Sequence, residues 1–319
     1  MVTRPTLSVL IAYFNERELL RECLESLLAQ DVLPDEIIVF DNGSDASPEP
    51  YIPQDKGIRL LRDHPNRGPA YAHNRLLAAA TGDYIHFHDS DDLFAPGWIR
   101  RVQETIEQAG VDAVFTDAML YRGSEPVAGS RYAAYLSHAE QDWVRFCIEA
   151  SPMMGLSTVR REWALRLGFR EALRISDDTD FHIRLAASGA WIAALPEPLL
   201  IHRIRADGWS SDPVACFQDV AEQYAFLVRE LPAQHRLSLA RQAVYFGRSW
   251  YAHGERKLAR RFFGYARALG AKPSDICKGM YGVAASVVGF EAAEHLSVAY
   301  RKLSQPVRFT VGRAWRTCR

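Results

Sequence analysis

Apolar runs of strand length alternate with helical stretches over the first 120 residues of this chain. Leu7–Phe14, Glu36–Phe40 and Tyr84–His88 are apolar runs, and Glu16–Gln30 follows the first of them with leucines at helical spacing. Strands that alternate with helices of this length are typical of βαβ units, in which the sheet is largely parallel. The pattern therefore predicts an α/β fold, with a mostly parallel central sheet flanked by helices.

The charged residues divide the chain into two parts of opposite sign. Residues 1–213 contain 21 Lys and Arg against 32 Asp and Glu, a net charge of −11, and residues 214–319 contain 17 against 7, a net charge of +10. The strand pattern also fades near Asp212–Pro213, where Ala- and Arg-rich helical stretches begin. We expect a domain over 1–212, with halves at 1–118 and 119–212, and a basic α-helical region over 213–319.

Composition and motifs exclude several classes of protein. The five cysteines lie far apart without a CxxC pair, which supports neither a zinc site nor a disulfide framework and is typical of a reducing compartment. No apolar run approaches the roughly 20 residues of a membrane-spanning helix, and no secretory signal is recognisable. The GxGxxG, GxxxxGK[ST], GxSxG and HExxH motifs are missing from the sequence. These observations predict a cytoplasmic protein.

Polar side chains follow three of the predicted strands. Asn15–Glu16 comes after the first strand, Asp41–Asn42 after the second, and Asp89–Asp92 after Tyr84–His88. In an open parallel sheet, ligands bind in the crevice beyond the carboxyl ends of the strands. We therefore expect these three clusters to converge on one site.

The Asp89–Asp92 segment places three carboxylates within four residues, with Ser90 between them. Their mutual repulsion is relieved if a divalent cation binds, and Mg²⁺ prefers one or two protein carboxylates together with substrate phosphates. The segment therefore predicts a site for a nucleotide diphosphate and its metal. The alternative is a helix N-cap, in which Asp91 or Asp92 caps the helix that Pro96 begins.

A second acidic segment, Asp177–Asp180, stands at a predicted helix start. One interpretation is N-capping by Ser176 or Asp177, because a helix N-terminus stabilises anions. The other is a carboxylate that acts as a general base on an acceptor hydroxyl. Arg184 follows within one or two turns and could pair with a carboxylate.

Four blocks in this order resemble family 2 glycosyltransferases of the GT-A fold. The blocks are Ser8–Glu16, Asp41–Ser44, Gly82–Asp92, and Asp177–Asp178 with Arg184–Leu185. The resemblance covers about the first 205 residues. It implies an inverting transfer of a sugar from a nucleotide sugar, assisted by Mg²⁺ or Mn²⁺.

The resemblance also implies roles for individual residues. Asp91 is expected to be the more direct metal ligand, with Asp89 beside it, and Asp178 the general base; Asp177 stands where the family has Glu. The residues expected to bind the nucleotide sugar are Ala12, Phe14, Glu16, Asn42, Arg67, Gly68, Asn74, Asp89 and Ser90.

Two departures from the family pattern affect the donor side. Asn42 stands where many members have an Asp that reads the base, although its amide oxygen could still accept from a uracil or thymine N3–H. His73 precedes Asn74 where the family commonly has Arg, so a phosphate contact is missing or comes from Arg67 or Arg75.

A third departure lies at Arg203-Ile204-Arg205, which replaces the family's Arg-x-His. Some relatives use a histidine here as a further metal ligand. Arginine cannot ligate a metal, which leaves His202 as the candidate in this chain. Arg203 or Arg205 could instead clamp the diphosphate.

These expectations converge on transfer from a UDP-sugar to a saccharide or lipid-linked acceptor in bacterial-type surface polysaccharide or glycan assembly. Two alternatives remain at this stage: a non-catalytic scaffold that holds a nucleotide sugar, and a sugar-phosphate nucleotidyltransferase. The second would carry a Gly-rich basic loop after the first strand, which Ala12–Arg17 does not.

The basic C-terminal region has its own two interpretations. It is either a solvated helical face or a surface that docks on an anionic membrane face carrying a lipid-linked acceptor. No nucleic-acid recognition motif accompanies the charge, so nucleic acid is not an expected partner. The sequence leaves the oligomeric state open, with a dimer among the options.

Overall fold

A computed structural model describes residues 4–205, 212–277 and 279–304. The chain divides into two compact units, Met1–Gly208 and Trp209–Arg319. Among the described residues, no helix has both the length and the apolar character needed to cross a bilayer.

The first unit contains a nine-stranded sheet among its described residues. The strands are β1 (Leu7–Tyr13), β2 (Glu36–Asn42), β3 (Arg59–Asp63), β4 (Tyr84–Asp89), β5 (Leu93–Phe94), β6 (Ala113–Arg122), β7 (Glu125–Ala128), β8 (Ser157–Arg160) and β9 (Ile192–Arg203). The α-helices are α1 (Arg17–Leu28), α2 (Pro69–Ala79), α3 (Trp98–Ala109), α4 (Ala133–Ala139), α5 (Trp143–Ala150), α6 (Arg161–Leu167) and α7 (Asp177–Ala187). Short 3₁₀ turns occupy Glu49–Tyr51 and Met154–Leu156.

The strand order is β3-β2-β1-β4-β8-β6-β9-β5, and β7 pairs with β6 outside this path. The pairs β2–β3, β1–β2, β1–β4 and β6–β9 are parallel, whereas β8 runs antiparallel between β4 and β6. The predicted α/β fold with a mostly parallel sheet is thus confirmed, and the structure adds antiparallel strands that the sequence pattern did not indicate.

Two helices cover one face of this sheet with apolar side chains. Leu20, Leu24 and Leu27 of α1 are fully buried, as are Ile99 and Val102 of α3. They form one core with alternate residues of β1. Burial of such a side chain stabilises the fold by about 1.5–3 kcal/mol, so this core fixes β1 and β4, whose carboxyl ends carry the site.

The last strand of the sheet is longer than the sequence predicts. The sequence pattern predicts a strand only around Trp191–Leu195, whereas β9 runs from Ile192 to Arg203. Pro196 and Pro198 lie inside it, and its register with β6 shifts near Pro198. Proline weakens the sequence signal for a strand because it cannot donate a ladder hydrogen bond.

The second unit consists of helices among its described residues: α8 (Pro213–Glu230), α9 (Arg236–Ala252), α10 (Arg256–Ala268), α11 (Pro273–Ile276) and α12 (Gly279–Ser304), with a 3₁₀ turn at Ala233–His235. The predicted helical pair, Arg241–His253 and Glu255–Leu269, corresponds to α9 and α10. Phe217, Trp250 and Phe262 belong to the aromatic core of this unit. The prediction of C-terminal helices is confirmed.

Candidate active site

The register of the parallel strands brings the polar strand ends together. Ala12 of β1 lies opposite Asp89 of β4, and Tyr13 of β1 lies opposite Asp41 of β2. The residues that follow β1, β2 and β4 therefore emerge at one edge of the sheet, as the sequence predicts. Phe14 follows β1 directly and is half-buried at this edge.

Four acidic residues gather here, and we call Glu16, Asp89, Asp91 and Asp92 the acidic cluster. Ser90 donates a hydrogen bond to the Glu16 carboxylate. Arg205 Nη1 lies 2.6 Å from Glu16 Oε1 and 3.0 Å from Asp91 Oδ2. One guanidinium thus bridges two carboxylates that lie 75 positions apart in the sequence.

The acidic cluster raises the pKa of two of its members. Burial raises the pKa of Asp89 to about 7, with further increases from the charges of Asp91 and Asp92. Burial, Asp92 and Glu16 likewise raise the pKa of Asp91 to about 7, and Arg205 offsets only part of this. Carboxylates hold on to protons in this way when positive charge is insufficient around them.

Among the described residues, no group of three or more His, Cys, Asp and Glu side chains has the arrangement of a metal centre.

Asp92 does not cap helix α3 but pairs with residues at the end of β9. It is buried, its carboxylate lies 3.0 Å from His202 Nδ1, and it accepts the backbone N–H of Arg203 at 2.9 Å. Burial opposes ionisation, but His202 still holds the pKa of Asp92 below its usual range. Helix α3 begins later, at Trp98 after Gly97. The N-cap alternative for Asp91 and Asp92 is therefore wrong.

The pairing with Asp92 also fixes the ring of His202. Because Nδ1 faces Asp92, a metal ion could reach only Nε2 of this imidazole. Metal-binding histidines commonly have their other ring nitrogen held by a carboxylate in this manner. Although burial lowers it, the pKa of His202 is raised overall by the adjacent Asp92.

Arg203 fastens the acidic turn to helix α1. Its guanidinium donates to the carbonyl oxygen of Asp91, pairs with Glu22, and reaches the carbonyl oxygen of Leu19 at 3.3 Å. The extension of β9 brings Arg203 to this position. Arg203 thus joins β9 to the acidic turn and to helix α1.

Asp177 and Asp178 lie in the first turn of helix α7, which begins at Asp177. His73 Nδ1 lies 3.1 Å from Asp177 Oδ2, and both side chains are buried. Burial and the charge of Asp177 raise the pKa of Asp178 well above its usual value, and Asp89 raises it further. Asp178 and the acidic cluster therefore share one electrostatic environment, although 89 positions separate Asp178 from Asp89 in sequence.

Asn42 supports the turn at Arg67–Gly68. Its amide nitrogen donates to the carbonyl oxygen of Gly68 at 2.9 Å, and its amide oxygen accepts the backbone N–H of Arg67 at 3.2 Å. Gly68 has φ +93°, and a Cβ there would lie 3.3 Å from the side chain of Arg174. The turn thus requires glycine, and both polar ends of the Asn42 side chain are used to hold it.

Arg67 projects from this turn. Its guanidinium lies 3.8 Å from the centre of the Tyr71 ring and 3.4 Å from a carboxylate oxygen of Glu171. The side chain is half-exposed. Arg67 is therefore a cation held beside the turn but open to solvent.

Two further candidates hold the segment before α7. Asn74 accepts the backbone N–H of Phe169 at 2.8 Å and donates to its carbonyl oxygen at 3.0 Å. Arg184 pairs with Asp180 at 2.7 Å and donates to the carbonyl oxygens of Leu167 and Gly168. The prediction that Arg184 pairs with a carboxylate agrees with this geometry.

Sequence reasoning missed two residues of the region around Asp178. Tyr132 is buried, and burial raises its pKa to about 12, with a contribution from Asp178. The guanidinium of Arg131 lies 5.1 Å from the Tyr132 ring, and its Nη1 atom is buried without a hydrogen-bond partner among the described residues. Neither lies in a recognisable motif, so no sequence signal pointed to them.

A comparison with protein families decides the identity of the first unit. The family described as "Glycosyl transferase family 2" matches residues 8–174. The chain belongs to glycosyl transferase family 2. It is therefore a glycosyltransferase, and the nucleotidyltransferase and scaffold alternatives are not retained. The match ends before Asp177 and Asp178, so it does not test their roles.

Curated relatives agree with this family. Glycosyltransferase GlyG of Streptococcus pneumoniae is 25% identical over 236 residues, which cover 66% of this chain and 78% of GlyG. Succinoglycan biosynthesis protein ExoO of Rhizobium meliloti is 37% identical over 109 residues, which cover 33% of this chain and 31% of ExoO. The chain thus matches most of GlyG but less than a third of ExoO.

Solved structures show the same fold. TarS of S. aureus (residues 1–349), solved with UDP-GlcNAc, superposes with a TM-score of 0.70 at 19% identity and covers 97% of this chain and 95% of its own. The mannosyltransferase PcManGT of Pyrobaculum calidifontis, solved with GDP-Man and Mn²⁺, gives 0.59 at 18% identity, with 96% and 89% covered. The predicted GT-A fold is confirmed.

Proposed function

We propose that this glycosyltransferase moves a sugar, with inversion, from a UDP-sugar to a hydroxyl of a saccharide or lipid-linked acceptor. The proposal is carried by the convergence of Glu16, Asp89 and Asp91 at one edge of the sheet, and Asp89 is near enough to Asp178 to contribute to its raised pKa. A general base and a diphosphate site must lie within one cleft for a single displacement at the sugar carbon. The relative named for succinoglycan biosynthesis supports a role in polysaccharide assembly, which we place on the cytoplasmic side of the membrane.

The donor would lie along the edge formed by β1, β2 and β4. Ala12 and Phe14 would face the nucleoside, and Glu16, Asp89 and Ser90 would contact its ribose. The Arg67–Gly68 turn, braced by Asn42, would approach the nucleotide with its backbone and the Arg67 cation. Neighbours solved with UDP-GlcNAc and GDP-Man support a nucleotide-sugar donor but differ in the base.

A divalent cation fits the residues present. Asp91 and Asp89 offer the oxygen ligands that Mg²⁺ and Mn²⁺ prefer. Burial and the neighbouring carboxylates raise the pKa of both groups, and a bound cation would favour their ionised form. His202 Nε2 is a further candidate ligand. When bound, the cation would neutralise the charge that develops on the leaving diphosphate. The neighbour solved with Mn²⁺ supports this assignment.

Asp178 would remove the proton from the acceptor hydroxyl. Its raised pKa makes the ionised carboxylate a stronger base than an exposed aspartate, which favours proton transfer from a weakly acidic hydroxyl. The His73–Asp177 pair would hold the first turn of α7 in place. We assign Arg205 rather than Arg203 to the diphosphate. The Arg205 guanidinium lies against Glu16 and Asp91, and so stands where the diphosphate is expected.

A thermal-shift panel of UDP-, GDP- and dTDP-sugars, each with and without Mn²⁺, tests this proposal. We expect a UDP-sugar to raise the melting temperature, and Mn²⁺ to increase that shift, because ligands that bind only the folded state stabilise it. A shift with GDP-sugars alone would overturn the UDP assignment. Shifts unaffected by Mn²⁺ would overturn the metal assignment.

A further inference from the structure

Helix α12 begins with a segment that carries no charged residue and exposes apolar side chains. From Gly279 to Val288 the sequence contains no Asp, Glu, Lys or Arg. Four large apolar side chains of this segment are exposed to solvent: Met280 (85%), Val283 (63%), Val287 (79%) and Val288 (48%). We call these four residues the apolar face of α12.

Helical geometry places the four side chains on one side of the segment. Positions 280, 283 and 287 follow the i, i+3, i+7 spacing of a single helical stripe. The opposite side of the segment is packed, since Ala285 is buried.

The apolar face belongs to the most basic part of the chain. Residues 236–319 contain 16 Lys and Arg against 4 Asp and Glu, a net charge of +12. The last 15 residues, 305–319, add four arginines and no acidic residue to that sum. A partner of this region would therefore meet both exposed apolar side chains and an excess of positive charge.

We propose that the apolar face of α12 docks on an anionic lipid surface, with the helix lying in the plane of the interface. Helices that bind this way insert an apolar face at the boundary of headgroups and acyl chains while cations contact anionic lipids. A second copy that met this face with its own apolar face of α12 would bring a second basic C-terminal region to the contact, and the two regions would repel each other. A soluble polyanion would satisfy the charge but would gain nothing from buried valines.

This docking does not rest on the proposed donor or base. It concerns the second unit alone, and it would hold for any activity of the first. If both are right, the enzyme acts beside a membrane that can carry a lipid-linked acceptor.

Flotation of the purified full-length protein with vesicles tests the proposal. One vesicle set contains phosphatidylcholine with phosphatidylglycerol, and the other contains phosphatidylcholine alone. We expect the protein to float with the anionic vesicles and to remain at the bottom with the neutral ones. Failure to float with anionic vesicles would overturn the proposal.

A double substitution, Val283→Gln with Val287→Gln, separates apolar insertion from charge attraction, since it leaves the net charge unchanged. We expect it to reduce partitioning onto anionic vesicles at least about tenfold, because each buried apolar side chain contributes to interfacial binding. Met280→Gln should reduce partitioning onto anionic vesicles by a smaller factor. This single substitution keeps the test valid if the double variant fails to fold.

The matched control is Leu237→Gln with Tyr245→Gln on α9, which removes two apolar side chains that are also exposed, at 39% and 45%. This control should float like the wild type. Equal flotation of the Val283→Gln, Val287→Gln variant and the wild type would contradict the proposal. So would a concentration-dependent dimer, seen by sedimentation, that the same double substitution dissociates, because the face would then be an interface between copies.

Discussion

Arg205 Nη1 lies 3.0 Å from Asp91 Oδ2, so the expected metal ligand already has a positively charged partner supplied by the chain. The same nitrogen contacts Glu16. The guanidinium therefore offsets part of the repulsion within the acidic cluster before any ligand binds. A divalent cation at Asp91 would compete with this contact.

Replacement of Arg205 should strengthen binding of Mn²⁺ to the protein without nucleotide. In Arg205→Gln the Asp91 carboxylate loses its partner, and we expect the apparent Kd for Mn²⁺ to fall several-fold, because a like-charged competitor has been removed. Titration of free Mn²⁺ by electron paramagnetic resonance measures this. Arg59→Gln is the control. Arg59 lies on β3 and pairs with Glu36, so the substitution removes the same charge from a different ion pair. Identical Kd values for the two variants would contradict competition at Asp91.

The raised pKa values of Asp89 and Asp91 predict a pH-dependent stability. Both shift from 3.8 to about 7 on folding, so the folded protein binds more protons than the unfolded chain between these values. The free energy of unfolding should therefore fall as the pH rises from about 4 to 7 and level off above that, with up to about 1.4 kcal/mol per pH unit from each group.

Urea unfolding in EDTA at several pH values measures this slope. Asp89→Asn, which cannot ionise, should flatten the decline between pH 5 and 7. A variant curve parallel to that of the wild type would show that Asp89 does not titrate in this range.

Asn74 should prove more important for stability than for donor binding. Asn74→Ala removes two hydrogen bonds to the Phe169 backbone and leaves buried polar groups unsatisfied, at a cost of about 1–3 kcal/mol. We expect a lower melting temperature and an unchanged Kd for the donor. Lys56→Ala, at an exposed position outside the site, is the control. A weaker donor Kd with unchanged stability would instead support the direct nucleotide contact that the family resemblance implies.

The first half of the fold was predictable because its signals are local. Each of β1, β2 and β4 has a short, strand-length pattern followed by polar residues, and the parallel connection of such strands dictates that Glu16, Asn42 and Asp89 emerge at one edge. The sequence therefore predicts the convergence without coordinates. It cannot predict the partners within the site, since Asn42 reaches Gly68 and Glu16 reaches Arg205 across long stretches of chain.

The second half of the unit was less predictable because its strands lack clean patterns. Pro196 and Pro198 interrupt β9, so the sequence did not predict that the strand continues to Arg203. That extension places His202 beside Asp92, so Asp92 pairs with His202 and does not cap helix α3. Tyr132 lies between the irregular β6–β7 hairpin and α4, where periodicity gives no register for individual side chains.

Asp178→Asn tests the central claim, that Asp178 is the general base of the transfer. The substitution keeps the shape of the side chain but removes its ability to accept the proton, so we expect turnover to fall by about 10²–10⁴-fold. Donor and Mn²⁺ binding, measured by calorimetry, should persist. Asp55→Asn, at an exposed loop position, is the control and should be fully active. Near wild-type turnover of Asp178→Asn with its substrates bound would contradict the account.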